Sequence, residues 1–136
     1  MAVVFVDTSF LYALEDASDE NHAVALEIWK KTFKHSPRLI LTSYVFDETV
    51  TLLQSKLGHA KAVDVGERLL GSALVEFIHV TPELFLAAWD HFAKHKDKGY
   101  SFTDCVSFRI MSELGIRSAL AFDKHFRQAG FKVLET

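Results

Sequence analysis

The sequence has little of the residues that mark disulfide-rich, zinc-binding or membrane proteins. Its one cysteine, Cys105, excludes an intrachain disulfide and a cysteine-cluster metal site, and favours a reducing, cytoplasmic location. No apolar run approaches the roughly 20 residues of a membrane span, and the first residues lack the basic segment of a secretory signal. A glycine-rich phosphate loop, a serine nucleophile elbow and internal repeats are also missing. We therefore expect one domain over residues 1–136, with no membrane partner.

The charge balance does not point to an extensive phosphate-binding surface. The chain has 15 Lys and Arg against 18 Asp and Glu, a formal charge of −3. Acids gathered around a cation would lower this total while leaving basic patches elsewhere. The distribution of the acids is therefore more informative than their number.

Strand-like and helix-like segments alternate along the chain. Apolar, β-branched runs predict strands at residues 2–6, 38–43, 74–80, 118–123 and 131–134. Helical spacing and capping residues predict helices at residues 8–14, 20–34, 44–57, 59–70, 82–96, 102–114 and 124–129. This alternation predicts an α/β sandwich with a largely parallel sheet and helices on both faces.

Apolar spacing also predicts which helix faces are buried. In the second predicted helix, Val24, Ile28 and Trp29 suit a buried stripe. The third helix presents one apolar face at steps of four, three and four, formed by Phe46, Val50, Leu53 and Leu57. Apolar residues on the Trp29 and Trp89 helices are candidates for an interface.

Four acids occupy comparable places in the predicted elements. Asp7 and Asp123 each end a predicted strand, whereas Glu48 and Asp104 lie near the starts of helices. If the two strands are neighbours where the strand order reverses, these carboxylates meet in the crevice where such sheets bind ligands. Each acid also has a plainer interpretation, as a helix cap, a solvated side chain or a surface pair. Their shared placement at one sheet edge favours a common site.

Carboxylates held together repel one another unless a cation lies between them. Oxygen ligands without a Cys or His cluster point to a hard ion, Mg²⁺ or Mn²⁺. Such an ion activates water for attack at phosphorus, so phosphodiester hydrolysis is the simplest chemistry. The seven histidines form no ligand spacing with nearby acids, and we assign them to the surface. His125, close to Asp123, is a candidate for a phosphate contact.

The segments that carry the acids resemble those of the PIN-domain nucleases, particularly the toxins of VapBC toxin–antitoxin pairs. They are Val6-Asp7-Thr8-Ser9, Phe46-Asp47-Glu48-Thr49, Thr103-Asp104-Cys105-Val106-Ser107-Phe108 and Ala121-Phe122-Asp123-Lys124-His125-Phe126. The resemblance covers nearly the whole chain in order. It departs from the family pattern at Ser9, where many relatives have asparagine.

The resemblance implies a Rossmann-like, three-layer α/β/α sandwich with four or five strands. It also implies a metal-dependent ribonuclease in which Asp7, Glu48, Asp104 and Asp123 surround Mg²⁺ or Mn²⁺. Thr8 and Thr103 match hydroxyl positions that support the acids. A homodimer and a cognate antitoxin are the implied protein partners.

We expect an endoribonuclease whose basic residues contact the RNA backbone beside the acids. These candidates are Lys94, Lys96, Lys98, Lys124 and Arg127. Two alternatives remain: a DNA nuclease or phosphatase with the same metal site, and a non-catalytic nucleic-acid-binding module of the same fold.

Overall fold

The computed structural model describes residues 2–136, in which strands and helices alternate. The strands are β1 (Val3–Val6), β2 (Arg38–Thr42), β3 (Val75–Ile78), β4 (Ser118–Leu120) and β5 (Lys132–Val133). The helices are α1 (Thr8–Glu15), α2 (His22–Phe33), α3 (Ser43–Leu57), α4 (His59–Gly71), α5 (Pro82–Lys94), α6 (Phe102–Leu114) and α7 (His125–Gln128). Among these described helices, none has both the length and the apolar character that crossing a membrane requires.

The five strands form one parallel sheet in the order β3-β2-β1-β4-β5. In the centre, Phe5 of β1 lies opposite Ile40 of β2 and Ala119 of β4. The strand order reverses at β1, so right-handed crossovers place α1 to α4 on one face and α5 to α7 on the other. The predicted α/β sandwich with a parallel sheet is confirmed.

The central strand is buried by helices on both faces, which explains its nearly uninterrupted apolar sequence. Val4, Phe5 and Val6 are all buried. The ring of Phe5 packs on that of Phe126, which lies 5.0 Å from the ring of Phe108 between centroids. This aromatic packing fixes α6 and α7 against the sheet and so positions the residues at their amino-terminal ends.

Side-chain caps determine where several helices begin. Asp7, Thr42, Thr81 and Ser101 each accept a hydrogen bond from a backbone N–H in the first turn of the following helix. Two of these caps lie at strand ends, since Asp7 directly follows β1 and Thr42 is the last residue of β2. Polar side chains and helix amino termini therefore meet at the carboxyl-terminal edge of the sheet.

Some local predictions are wrong in detail. The buried stripe of α2 contains Ala25, Ile28 and Thr32, whereas Val24 is 42% exposed. Strand β4 ends at Leu120, so Asp123 lies in the following loop and does not end the strand. These differences arise because burial depends on which neighbouring helix covers a face, which helical spacing alone does not specify.

The apolar face predicted for α3 is also displaced. Its buried residues are Val45, Thr49 and Leu53, and Leu57 is exposed. Phe46 and Val50 instead lie beside α4, where a Cβ at Gly66 would lie 3.4 Å from each. Helix α3 therefore packs against both α1 and α4, since the Thr49 hydroxyl contacts that of Thr8 and Leu53 packs with Ala62 and Val65.

Candidate metal centre

A crevice opens at the carboxyl-terminal edge of the sheet where β1 and β4 lie side by side. Its volume is about 440 Å³, and its lining residues come from four separate parts of the chain: Asp7, Thr8, Ser9, Glu48, Leu52, Gly99, Ser101, Asp104, Asp123 and His125. The strand order reverses here, which is where open α/β sheets bind ligands. The four acids predicted from the sequence all line this crevice.

Asp7 occupies the turn between β1 and α1 and is only 4% exposed. Its Oδ2 accepts hydrogen bonds from the backbone N–H of Ser9 at 3.1 Å and from the Ser9 hydroxyl at 2.6 Å. The same hydroxyl accepts the backbone N–H of Phe122 at 2.9 Å. Ser9 therefore ties the carboxylate after β1 to the loop that carries Asp123.

Asp104 is held by the start of α6. Its backbone N–H donates to the Ser101 hydroxyl at 3.0 Å, and its Oδ2 accepts the backbone N–H of Ser101 at 3.0 Å. In this reciprocal capping box the carboxylate is held by a backbone N–H, which has a fixed position at the start of the helix. Asp7 and Asp104 thus act as helix caps and also line the crevice, so the two interpretations of these acids are compatible.

Asp123 and His125 form the third side of the crevice. Oδ1 of Asp123 accepts the backbone N–H of His125 at 2.8 Å. The imidazole Nδ1 of His125 lies 3.0 Å from this same oxygen and 3.0 Å from Oδ2 of Asp104. His125 therefore bridges two acids that are 19 residues apart in the sequence.

Glu48 lies on the exposed rim, carried by α3. The Thr8 hydroxyl contacts the Thr49 hydroxyl at 3.0 Å and the Val45 carbonyl oxygen at 3.3 Å. These buried contacts join the amino-terminal ends of α1 and α3. They set the position of the α3 turn from which Glu48 projects.

The crevice raises the pKa values of Asp7, Asp104 and Glu48. Burial raises the pKa of Asp7 from 3.8 to about 7, against the opposing hydrogen bonds from Ser9. Burial also raises the pKa of Asp104, with a further contribution from the charge of Asp123. The pKa of Glu48 is raised by its loss of hydration and by Asp104 and Asp123. The carboxylates of the site therefore repel one another when they are ionised, and a cation bound between them would reduce this repulsion.

Three aspartates share a pattern that suits metal binding. In the part of the chain that the structure describes, each anchors one carboxylate oxygen and leaves the other without a protein donor. The anchored oxygen accepts two hydrogen bonds at Asp7 and Asp104 and one, from the backbone N–H of His125, at Asp123. Among the described residues, Nε of Arg109 is the one side-chain polar atom that is fully buried without a hydrogen-bond partner. The free oxygens of the three aspartates are therefore not fully buried and reach solvent. Oriented carboxylates with free oxygens are suitable ligands for a hard divalent ion.

The PIN-domain family model matches residues 4–132, almost the entire chain. The chain belongs to the PIN-domain family. Among relatives of this PIN domain, a 23S rRNA-specific endonuclease, VapC20 of Mycobacterium tuberculosis, is 41% identical over 130 residues, covering 95% of each chain. A VapC ribonuclease of Archaeoglobus fulgidus is 28% identical over 124 residues, covering 89% of this chain and 77% of that protein.

Solved structures agree with the family assignment. The crystal structure of M. tuberculosis VapC20, described as a toxin that cleaves the sarcin–ricin loop, superposes with a TM-score of 0.88 and 36% identity. The alignment covers 98% of this PIN domain and 99% of that chain. FitAcB from Neisseria gonorrhoeae shares the fold, with a TM-score of 0.66, 13% identity and coverage of 97% and 96%.

The other predicted site residues are arranged less uniformly. Thr8 lines the crevice, but Thr103 is not among the lining residues. The hydroxyl that contacts Asp104 belongs to Ser101, and it accepts the backbone N–H of Asp104. Lys98 precedes the crevice residue Gly99, and Lys124 lies between Asp123 and His125.

Two of the remaining basic residues are engaged in ion pairs. Lys94 pairs with Asp90 at 3.0 Å, and Arg127 pairs with Glu135. Lys96 is exposed in the loop after α5. The roles predicted for all of these residues, including the acids, stay predictions.

The sequence analysis placed His125 close to Asp123, as a candidate for a phosphate contact, but did not predict its contact with Asp104. Its ring is not on the open surface, because it is half-buried between the two acids and Tyr100. The available signal was its place two residues after Asp123, which allows its backbone N–H to return to that carboxylate. The contact with Asp104 depends on tertiary structure and has no local signal.

Proposed function

We propose that this PIN domain is a metal-dependent endoribonuclease of the VapC type. The observation that carries the proposal is the set of three aspartates, each with one anchored and one free oxygen, around a crevice that also contains Glu48. The 41% identity to a 23S rRNA-specific endonuclease supports RNA as the substrate. It makes 23S ribosomal RNA the first substrate to test and the cytoplasm the expected site of action.

Asp7, Asp104 and Asp123 would hold Mg²⁺ or Mn²⁺ through their free oxygens, with Glu48 on the open side. The bound ion would supply an activated water and neutralise charge on the phosphate. The chain's own residues keep the anchored oxygens fixed, so that little reorganisation of the carboxylates is required. Lys98 precedes Asp104 and Lys124 follows Asp123 along the chain, and both are proposed to contact the RNA backbone.

The test is cleavage of 23S ribosomal RNA, an unrelated RNA pool and DNA by the purified protein. We expect RNA cleavage with Mn²⁺ or Mg²⁺, none with EDTA, and none with Asp104→Asn. Asp97→Asn, which changes an exposed carboxylate, is the matched control and should cleave like the wild type. RNA cleavage that survives both EDTA and Asp104→Asn would contradict the proposal. If the protein cleaves DNA in preference to RNA, the substrate is DNA and the proposed ribonuclease activity is wrong.

We also propose that the protein forms a homodimer through the exposed face of α5. Phe85, Leu86 and Trp89 are 41%, 65% and 55% exposed on this helix. Such a cluster of large apolar side chains is more typical of a protein interface than of a free surface. Light scattering should give twice the monomer mass for the wild type and the monomer mass for Trp89→Lys. A monomeric wild-type protein at micromolar concentration would contradict this assignment.

A cognate antitoxin is the second proposed protein partner. If the nuclease is a toxin, inducing it in a bacterial host should stop growth, and an adjacent small reading frame should restore growth when co-expressed. Asp104→Asn is the control for toxicity. Growth arrest that persists with this variant would show that the toxicity does not come from the proposed nuclease site.

A further inference from the structure

His125 holds two of the proposed metal-binding carboxylates in place with one ring nitrogen. Nδ1 lies 3.0 Å from Oδ2 of Asp104 and 3.0 Å from Oδ1 of Asp123. Both oxygens also accept a backbone N–H, from Ser101 and from His125 itself. These two oxygens are therefore hydrogen-bond acceptors in a fixed arrangement.

The acceptors around Nδ1 determine the role of this nitrogen. When both carboxylates are ionised they only accept hydrogen bonds, so the tautomer with the proton on Nδ1 is the one that suits this position between them. Nδ1–H then donates to Oδ2 of Asp104, and Oδ1 of Asp123 lies at the same 3.0 Å distance from this nitrogen. Nδ1 so protonated has no lone pair to offer to a metal ion, and the lone pair of the ring is then on Nε2, which lies beside Gly99.

The rest of the ring is held by the loop before α6. Tyr100 packs edge-on against the imidazole, with ring centroids 5.4 Å apart. At Gly99, where φ is +75°, a Cβ would lie 3.8 Å from Nε2 of His125. The orientation of the imidazole is thus fixed by packing as well as by its hydrogen bonds.

The geometry points to His125 as a positioning residue for the metal site. It contacts the anchored oxygens of Asp104 and Asp123 and thereby fixes the orientation of both carboxylates at the crevice, and it is not itself a metal ligand. This inference rests on the proposed metal-dependent function. Partners of this kind typically change metal affinity by about 10- to 100-fold.

Substitutions can separate Nδ1 from the rest of the ring. The amide nitrogen of asparagine is bonded to Cγ, as Nδ1 is, whereas that of glutamine lies one bond further out, nearer the place of Nε2. We expect His125→Ala and His125→Gln to weaken Mn²⁺ binding by about tenfold or more. His125→Asn should keep the affinity within about threefold of the wild type, because it restores the donor.

The readout is the dissociation constant of Mn²⁺ without RNA, measured from the electron paramagnetic resonance signal of the free ion. Spin-echo modulation of the bound ion should show no directly coordinated nitrogen. Circular dichroism and the melting temperature confirm that each variant folds. His59→Ala and His59→Asn are matched controls, since Nδ1 of the exposed His59 bonds to Gln54 outside the crevice.

The outcomes distinguish this inference from the proposed function. Wild-type protein that binds no Mn²⁺ would overturn the metal-dependent function and the inference with it. If the wild type binds Mn²⁺ and folded His125→Ala binds it with the same dissociation constant, the inference is overturned and the proposed function is not. A nitrogen signal typical of a bound imidazole would also overturn it, because His125 would then be a ligand.

Discussion

Replacing Asp7 with asparagine should stabilise the metal-free protein, and increasingly so as the pH rises. Burial raises the pKa of Asp7 from 3.8 to about 7. Because the folded state has the higher pKa, it binds the proton more tightly than the unfolded state. The stabilising contribution of the protonated acid is complete below about pH 4 and is lost as the pH rises through 7.

The magnitude follows from the size of this pKa change. One pH unit corresponds to about 1.4 kcal/mol, so an ionised Asp7 costs the folded, metal-free protein about 4 kcal/mol at pH 8. Asparagine has no such cost, and its carbonyl oxygen can accept the two hydrogen bonds that Ser9 donates to Oδ2. The advantage of Asp7→Asn in free energy of unfolding should therefore grow by about 2 to 3 kcal/mol between pH 5 and pH 8.

Denaturant unfolding in EDTA at both pH values, followed by circular dichroism, measures this difference. The exposed Asp97→Asn provides the comparison and should change little between the two pH values. Saturating Mn²⁺ should then stabilise the wild type more than Asp7→Asn, since a ligand stabilises the state that binds it. An advantage of Asp7→Asn that does not depend on pH, or a loss of stability at pH 8, would refute this reasoning.

Substitutions at three further positions test the structure around the site. Phe108→Ala should lower the free energy of unfolding by about 3 to 5 kcal/mol in denaturant titration, because the ring is buried among aromatic neighbours. Thr8→Val should cost about 1 to 2 kcal/mol by the same measurement, because it leaves the buried hydroxyl of Thr49 without its Thr8 partner. Ser9→Ala should lower the free energy of unfolding by a similar amount at pH 5, since the Phe122 N–H loses its acceptor. Ser9→Thr, which keeps a hydroxyl, should restore part of this stability. A change of less than about 0.5 kcal/mol in any of them would contradict the contact concerned.

The acids could be predicted from the sequence because local patterns mark the carboxyl-terminal edge of a parallel sheet. Asp7 follows an apolar run that the structure places in the centre of the sheet. Ser101 and Asp104 have the spacing of a helix start. The neighbouring positions of β1 and β4 were a hypothesis, and the observed strand order confirms it.

Contacts between distant segments could not be predicted in the same way. The bridge from His125 to Asp104 joins the start of α7 to the start of α6, and it forms only after both helices pack on the sheet. The predicted buried faces of α2 and α3 are correct at Ile28 and Leu53 but wrong at Val24 and Leu57, for a related reason. Ala25 and Thr49 are buried because neighbouring elements cover them, although neither is a large apolar residue.

The most direct test of the account is metal-dependent RNA cleavage by the wild type and by Asp7→Asn, measured on samples shown to be folded. The account predicts that Mn²⁺ or Mg²⁺ supports cleavage by the wild type, that EDTA abolishes it, and that Asp7→Asn is inactive although it is the more stable protein without metal. Cleavage by Asp7→Asn at the wild-type rate, or cleavage by the wild type in EDTA, would contradict a metal site built on this carboxylate.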